Sequence, residues 1–309
     1  MTRIRELDAL RGFAVCGIML VNTWQHTREP DVPLNGVDLV VQNLFQSRFY
    51  PIFSALFGIS FLLFLRGNSR WALLSRLFWL YCIGLGQGLF YEGEVLTDYA
   101  FWGAVVLLPA SFLPGGWAQL ALGVAGLVAA QLAKGGGAWL IPGLLLVGMG
   151  LWRLRPPRSW LLPGFAVSAA ATLLLTWAAG GAFRWHLYSA AALAGALAYA
   201  LGLLLVLRPG LSAVLEPLGR MALTNYVTGT AVIVLALPLL KADPTRWAVV
   251  GLAAVTVAVQ AAGSRWWLAR FRYGPLEWVW RCLTWFRRVP NRLESGRDHN
   301  RPLPDPGLT

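Results

Sequence analysis

The run Leu7-Asp8-Ala9-Leu10-Arg11-Gly12-Phe13-Ala14-Val15-Cys16-Gly17-Ile18-Met19-Leu20-Val21-Asn22 decides how the rest of the chain reads. It is apolar enough to enter a membrane, yet it begins with a carboxylate and a guanidinium. Ionisable side chains in a membrane span are costly, so they face a partner or a cavity rather than lipid. At a spacing of three, Asp8 and Arg11 share one helical face and can pair. Asn22 follows on a similar face, about 16 Å further along a helix rising 1.5 Å per residue. One stripe of the first helix is therefore polar from near one membrane surface to near the other, as a lined cavity requires.

Composition agrees with a membrane protein. The chain has 309 residues, 57% of them hydrophobic and 13% charged, with mean hydropathy +0.57. Soluble domains carry roughly 25% charged residues. Apolar runs near the ~20 residues needed for a crossing divide the chain into ten spans: 7–26, 48–66, 70–90, 95–113, 116–133, 138–153, 160–180, 187–207, 217–240 and 246–269. The fold class expected is all-α, a polytopic helical membrane protein of about ten transmembrane helices. No small-residue cleavage site follows the first run, so the first helix is expected to stay rather than leave as a signal peptide. Cys16, Cys82 and Cys282 are widely spaced and form no metal motif or disulfide framework.

The formal net charge of +12 does not point to nucleic acid. With the N-terminus inside, only Arg28, Arg48, Lys134, Arg184, Lys241 and Arg246 of the 26 basic residues fall outside. That is the positive-inside pattern, and it predicts an N-in, C-in protein of the bacterial inner membrane. The excess charge also favours anionic lipids of the inner leaflet as partners.

Along the chain, residues 27–47 carry turn signals at Glu29-Pro30, Val32-Pro33 and Asn35-Gly36 before a stretch suited to the membrane surface. Ser54, Ala55 and Gly58 in the next span are small residues that permit close helix packing. A membrane unit over 1–289 divides into motif-bearing helices (1–113), scaffold helices (114–210) and a C-terminal part (211–289). That part ends in an amphipathic surface helix over 274–288, where Glu277 and Arg281 are spaced to form a surface pair. Residues 290–309, rich in Pro, Arg and Asp, are expected to be a disordered tail.

Five motifs carry a resemblance. Leu7 to Asn22, Phe53-Ser54-Ala55-Leu56-Phe57-Gly58-Ile59-Ser60-Phe61, Gly93-Glu94-Val95-Leu96-Thr97-Asp98-Tyr99-Ala100, Gly219-Arg220-Met221-Ala222-Leu223-Thr224-Asn225-Tyr226 and Tyr273-Gly274-Pro275-Leu276-Glu277-Trp278-Val279-Trp280-Arg281 follow in order. Together they resemble the YeiB-like bacterial membrane proteins, whose C-terminal part is known as domain of unknown function 418. That group is related to transmembrane acyltransferases, including heparan glucosaminide acetyltransferase. The resemblance implies transfer of an acyl group from cytoplasmic acyl-CoA, the expected donor, to a small-molecule or glycan acceptor across the membrane. Where relatives commonly carry histidine, this chain has Asn22 and Gln87; Glu94 replaces an aspartate, and Gly229 a glutamine.

Under that implication Asp8 and Arg11 bind the donor, because the guanidinium fork matches phosphate oxygens. Alternatively, they form a structural ion pair. Glu94, His26 and Asn22 are the candidates for the chemistry. His26 titrates near neutrality, and Glu94 lies in the densest polar patch outside the tail and can serve as acid or base. Ser54, Gln87, Tyr99, Asn225 and Tyr226 are expected to line the substrate cavity; Asn225 and Tyr226 can instead tie helices together. His186 is a further candidate base, and His299 falls in the tail. The alternative function is a transporter or flippase for a small or lipid-linked molecule, using the same cavity without chemistry.

Overall fold

The computed structural model describes residues 4–28, 32–179 and 185–293. Glu29, Pro30, Arg184 and His299 lie outside the described residues, as does the tail from 294 onward.

The regular secondary structure of the described residues is helical, apart from one isolated antiparallel bridge between Phe271 and Arg292. The helices are α1 (Arg5–Thr27), α2 (Gly36–Val40), α3 (Phe49–Leu65), α4 (Arg70–Gly88), α5 (Leu96–Trp102) and α6 (Leu108–Ala110). They continue with α7 (Gly116–Lys134), α8 (Ile141–Leu154), α9 (Leu161–Ala179), α10 (Trp185–Val206), α11 (Pro209–Arg220), α12 (Ala222–Lys241), α13 (Trp247–Leu268) and α14 (Pro275–Trp285). A wider π-helical turn, Gly103–Leu107, joins α5 to α6.

Seven helical stretches are long and apolar enough to cross a membrane: Gly36–Leu65, Gly116–Lys134, Gly137–Leu154, Arg158–Ala179, Trp185–Val206, Ala222–Lys241 and Trp247–Leu268. The other three expected spans also form helices, namely α1, α4 and the broken segment Leu96–Ala110. They fall short for a physical reason. α1 and α4 carry charged side chains, and Leu96–Ala110 is shorter than the ~20 residues that span hydrocarbon.

α1 sits at the centre, packed against α3, α11, α12 and α13. Its crossing with α11 is close. A Cβ on Gly12 would run into the Leu215 carbonyl, and one on Gly219 into the Asp8 carbonyl. Backbones approach this closely only where side chains are missing. The small residues of α3 act as expected: Gly58 meets the Leu145 carbonyl, and Gly148 of α8 meets that of Ala55. α7 pairs with α8 and α9 with α10, and the α8 and α10 members rest on α3.

The segment before α3 begins with a capping box. The Asn35 side chain accepts from the Asp38 amide while the Asp38 carboxylate accepts from the Asn35 amide. At the other end of the chain, the expected tail is ordered where it starts. Arg272 donates to the Asn291 carbonyl (2.8 Å) and Leu293 to the Arg270 carbonyl (2.9 Å). Polar composition alone did not reveal that backbone pairing.

Candidate functional site

An elongated cavity of about 720 Å³ runs beside α1. Arg11 and Gln25 of that one helix both line it, and fourteen residues of helix span about 21 Å. Its two ends differ in chemistry. The Arg11 end is lined by Arg11, Arg76, Arg220 and Arg281, and the Asn22 end by Asn22, Gln25, Gln46 and Asp98. Between them the α3 aromatics Phe53, Phe57 and Phe61 face the space.

At the Arg11 end, Asp8 and Arg11 pair as their spacing predicts, at 2.8 Å. Arg11 also donates to the Ser60 hydroxyl (3.0 Å), which ties α1 to α3. Glu277 behaves differently from the surface pair with Arg281 that its spacing suggested, because no ion pair joins the two. Its carboxylate accepts from the Leu223 amide (2.8 Å), the Thr224 amide (3.1 Å) and the Thr224 hydroxyl (2.6 Å). The first turn of a helix offers unpaired N–H groups and a positive dipole end, and both outcompete a neighbouring guanidinium. Burial pushes the Glu277 carboxyl up, while these hydrogen bonds pull it down. The amphipathic α14 is thereby fixed against α4 and α12, and Trp280 donates to the Arg76 carbonyl (2.8 Å).

At the Asn22 end, Asn22, Tyr99 and Tyr226 line the cavity. Ser54 lies just behind Tyr99, sharing a 2.9 Å hydrogen bond with its hydroxyl. Glu94 is occupied elsewhere. One of its oxygens accepts from the Leu96 (2.8 Å) and Thr97 (3.2 Å) amides, and the other from the Thr97 hydroxyl, so it caps α5. His26 stacks on Tyr91, with ring centroids 4.2 Å apart. Gln87 and Asn225 act between helices. Gln87 donates to the Thr230 hydroxyl (2.9 Å), and Asn225 to the Leu218 carbonyl and the Ser264 hydroxyl, both at 3.1 Å. The exposed His186 ring contacts the Gln131 carbonyl at 2.8 Å. The carboxylate that does line this end of the cavity is Asp98, in the first turn of α5. Among the described residues, no three His, Cys, Asp or Glu side chains converge as a metal centre requires.

A family model described as "Protein of unknown function (DUF418)" matches residues 145–287. An uncharacterized 39.9 kDa protein in the amylase 3' region of Bacillus acidopullulyticus is 33% identical over 339 residues, covering 96% of this chain and 98% of the relative. The chain belongs to the DUF418 family. No solved structure matches it.

In this DUF418 protein the residues that the sequence pattern missed are Asp98, Arg76 and Arg281. Asp98 and Arg76 each had a weak signal. Asp98 stands one turn after Glu94, inside the start of an apolar helix. Arg76 is a charge two turns into an apolar run, deeper than a topology signal needs to be. The matched segment contains Arg220, Glu277 and Arg281 but not Asp8, Arg11, Arg76 or Asp98, so the cavity is built from both sides of its boundary.

Proposed function

We propose that this DUF418 protein is a membrane-embedded acyltransferase of about ten spans, with the Arg11 end facing the cytoplasm and the Asn22 end facing outward. The observation that carries this reading is one continuous cavity joining a cationic end to a polar end that holds a carboxylate. The orientation rests on the positive-inside distribution of arginines. A bacterial source is supported by the Bacillus relative, and a plasma-membrane setting by that charge pattern.

An acyl-CoA-type donor fits the cationic end by charge and the aromatic middle by apolarity. Its thioester arm would extend along α1 towards Asn22. There the acceptor hydroxyl oxygen attacks the thioester carbonyl carbon. The new C–O bond forms, the C–S bond breaks, the hydroxyl proton passes to the Asp98 carboxylate, and that proton then leaves with the thiol. Asp98 is favoured over Glu94 because the Glu94 oxygens already accept from the start of α5. Asn22 and Gln25 would orient the acceptor, as neutral amides that donate and accept without moving protons.

Continuity of the cavity from end to end also favours a second reading, a carrier for a small or lipid-linked molecule. Purified protein in nanodiscs, given acetyl-CoA on the Arg11 side and candidate hydroxyl acceptors on the other, separates the two. Acyl transfer releases free thiol. Asp98→Asn should lower that release by about 10²–10⁴-fold, the usual contribution of a positioned base, while acetyl-CoA binding persists. Thiol release unchanged in Asp98→Asn removes Asp98 from the chemistry. Acceptor flux without thiol release replaces the enzyme with the carrier.

A further inference from the structure

Among the described residues, the Arg11 end is lined by Arg11, Arg76 and Arg281, while the carboxylates beside them are Asp8 and Glu277. Asp8 is committed to Arg11, and Glu277 to the first turn of α12. Arg76 and Arg281 have no acid within ion-pair distance among the described residues, and neither donates a hydrogen bond to one of them. The charged neighbours of Arg76 are Arg281, Arg11 and Glu277, so guanidinium stands beside guanidinium. Like charges held together away from bulk water repel strongly.

The two side chains are nevertheless held in place by their faces. Arg76 lies 3.6 Å from the Trp280 ring centroid and 5.1 Å from that of Phe64. Arg281 lies 4.8 Å from the Tyr273 centroid. A guanidinium stacked on a ring keeps its N–H donors free in its own plane, where a phosphate oxygen pairs with them. The Arg281 Nε is buried with no hydrogen-bond partner. A buried donor left in this state marks a position where an acceptor belongs.

We infer that Arg76 and Arg281 form a binding site for the phosphate or pyrophosphate group of an amphiphilic ligand, whose apolar part enters the aromatic middle of the cavity. Arg11, already paired, takes a secondary part by shaping the wall with Ser60. The inference deepens the donor end of the proposed reaction and rests on that reading only for the side from which the ligand enters. Two sources share the chemistry: a soluble phosphorylated carrier such as coenzyme A, or a lipid with a phosphate-monoester headgroup.

The test is equilibrium binding to the full chain. Pyrophosphate and coenzyme A are titrated in detergent, and nanodiscs containing phosphatidic acid are compared with phosphatidylcholine alone by protection from thermal unfolding. Saturable binding should weaken about tenfold or more in Arg281→Gln and in Arg76→Gln, since each removes a charge-assisted contact. Arg76→Lys keeps the charge without the fork; it should fold and still bind more weakly. The exposed Arg265→Gln serves as the control. Coenzyme A binding alone identifies the soluble source, and phosphatidic acid protection alone the lipid. No binding of any probe to the wild type, equal binding in the arginine variants, or equal loss in Arg265→Gln overturns the site. Asp98→Asn should leave binding intact, so a site that binds but supports no thiol release would refute the acyl-transfer reading and keep this one.

Discussion

The Glu277 carboxylate lies 2.6 Å from the Thr224 hydroxyl, and through it the amphipathic α14 is fastened to the first turn of α12. The same Thr224 hydroxyl accepts from the Leu276 amide (3.0 Å), so the link runs both ways. Glu277→Ala would free two amides at a helix start, a loss of about 0.5–2 kcal/mol for a cap. Glu277→Gln keeps one acceptor oxygen and should cost less. Thermal unfolding in mild detergent should rank wild type above Gln above Ala. Equal midpoints for all three would mean that α14 is held by its aromatics alone.

Gly219 and Gly12 make the crossing of α11 and α1 possible, because a Cβ on either strikes the backbone of the other helix. Gly219→Val should displace α1, with an overpacking loss of about 1–3 kcal/mol or more, and should distort the cavity that α1 lines. Gly251, in α13, has nothing within 4 Å of its Cβ position. There Gly251→Ala should gain roughly 0.5–1 kcal/mol through helix preference. Opposite shifts in unfolding midpoint are the expected readout, and a tolerated Gly219→Val would refute the close crossing.

The polar stripe on α1 was legible because periodicity and the cost of buried charge together leave it one place to face. Arg11 and Asn22 both line the cavity for that reason. The span count was harder, since α1, α4 and Leu96–Ala110 are the helices bearing Arg11, Arg76 and Asp98, and lining a cavity makes a helix less apolar. Partner choice was the illegible part. Spacing put Glu277 with Arg281, but its carboxylate found the start of α12, whose position only the tertiary fold sets. Glu94 binds the amides two and three residues along, a local cap that its polar surroundings hid. Trp185 and Tyr188 reach the cavity from a featureless apolar run, where an aromatic carries no directional signal.

Asp243 organises the connection between α12 and α13. It accepts from the Thr245 hydroxyl (2.6 Å), the Thr245 amide (2.8 Å) and the Ala248 amide (2.7 Å). The Thr245 side chain first, then the Ala248 amide, holds its carboxyl below the ordinary value. A depressed carboxyl stabilises the fold above the unfolded value of about 3.9, and that contribution is lost as pH falls through the lower folded value. The unfolding midpoint of the wild type should therefore drop on acidification below about pH 4, and Asp243→Asn should flatten part of that drop. Identical pH profiles would show that the loop is held without the charge.

Arg246 and Asp38 join the α12–α13 connection to the segment before α3, with Nε 3.1 Å from Oδ1. Their side chains are only 12% and 5% exposed, so the pair is largely removed from water. Asp38 also accepts from the Trp24 indole (2.8 Å), and Arg246 donates to the Thr27 carbonyl, which draws the end of α1 into the same cluster. Arg246 adopts a left-handed backbone (φ 66°) at the start of α13, a conformation that costs a non-glycine residue roughly 1–2 kcal/mol. The cluster evidently offsets that cost. Breaking a buried pair from one side leaves an uncompensated charge, a penalty of about 3–5 kcal/mol. Asp38→Asn and Arg246→Gln should each be strongly destabilising, whereas the double variant should lose much less than the two combined. Strictly additive losses in a denaturant titration would show that the two residues act independently and that the Trp24 and Thr27 contacts hold the C-terminal end of α1.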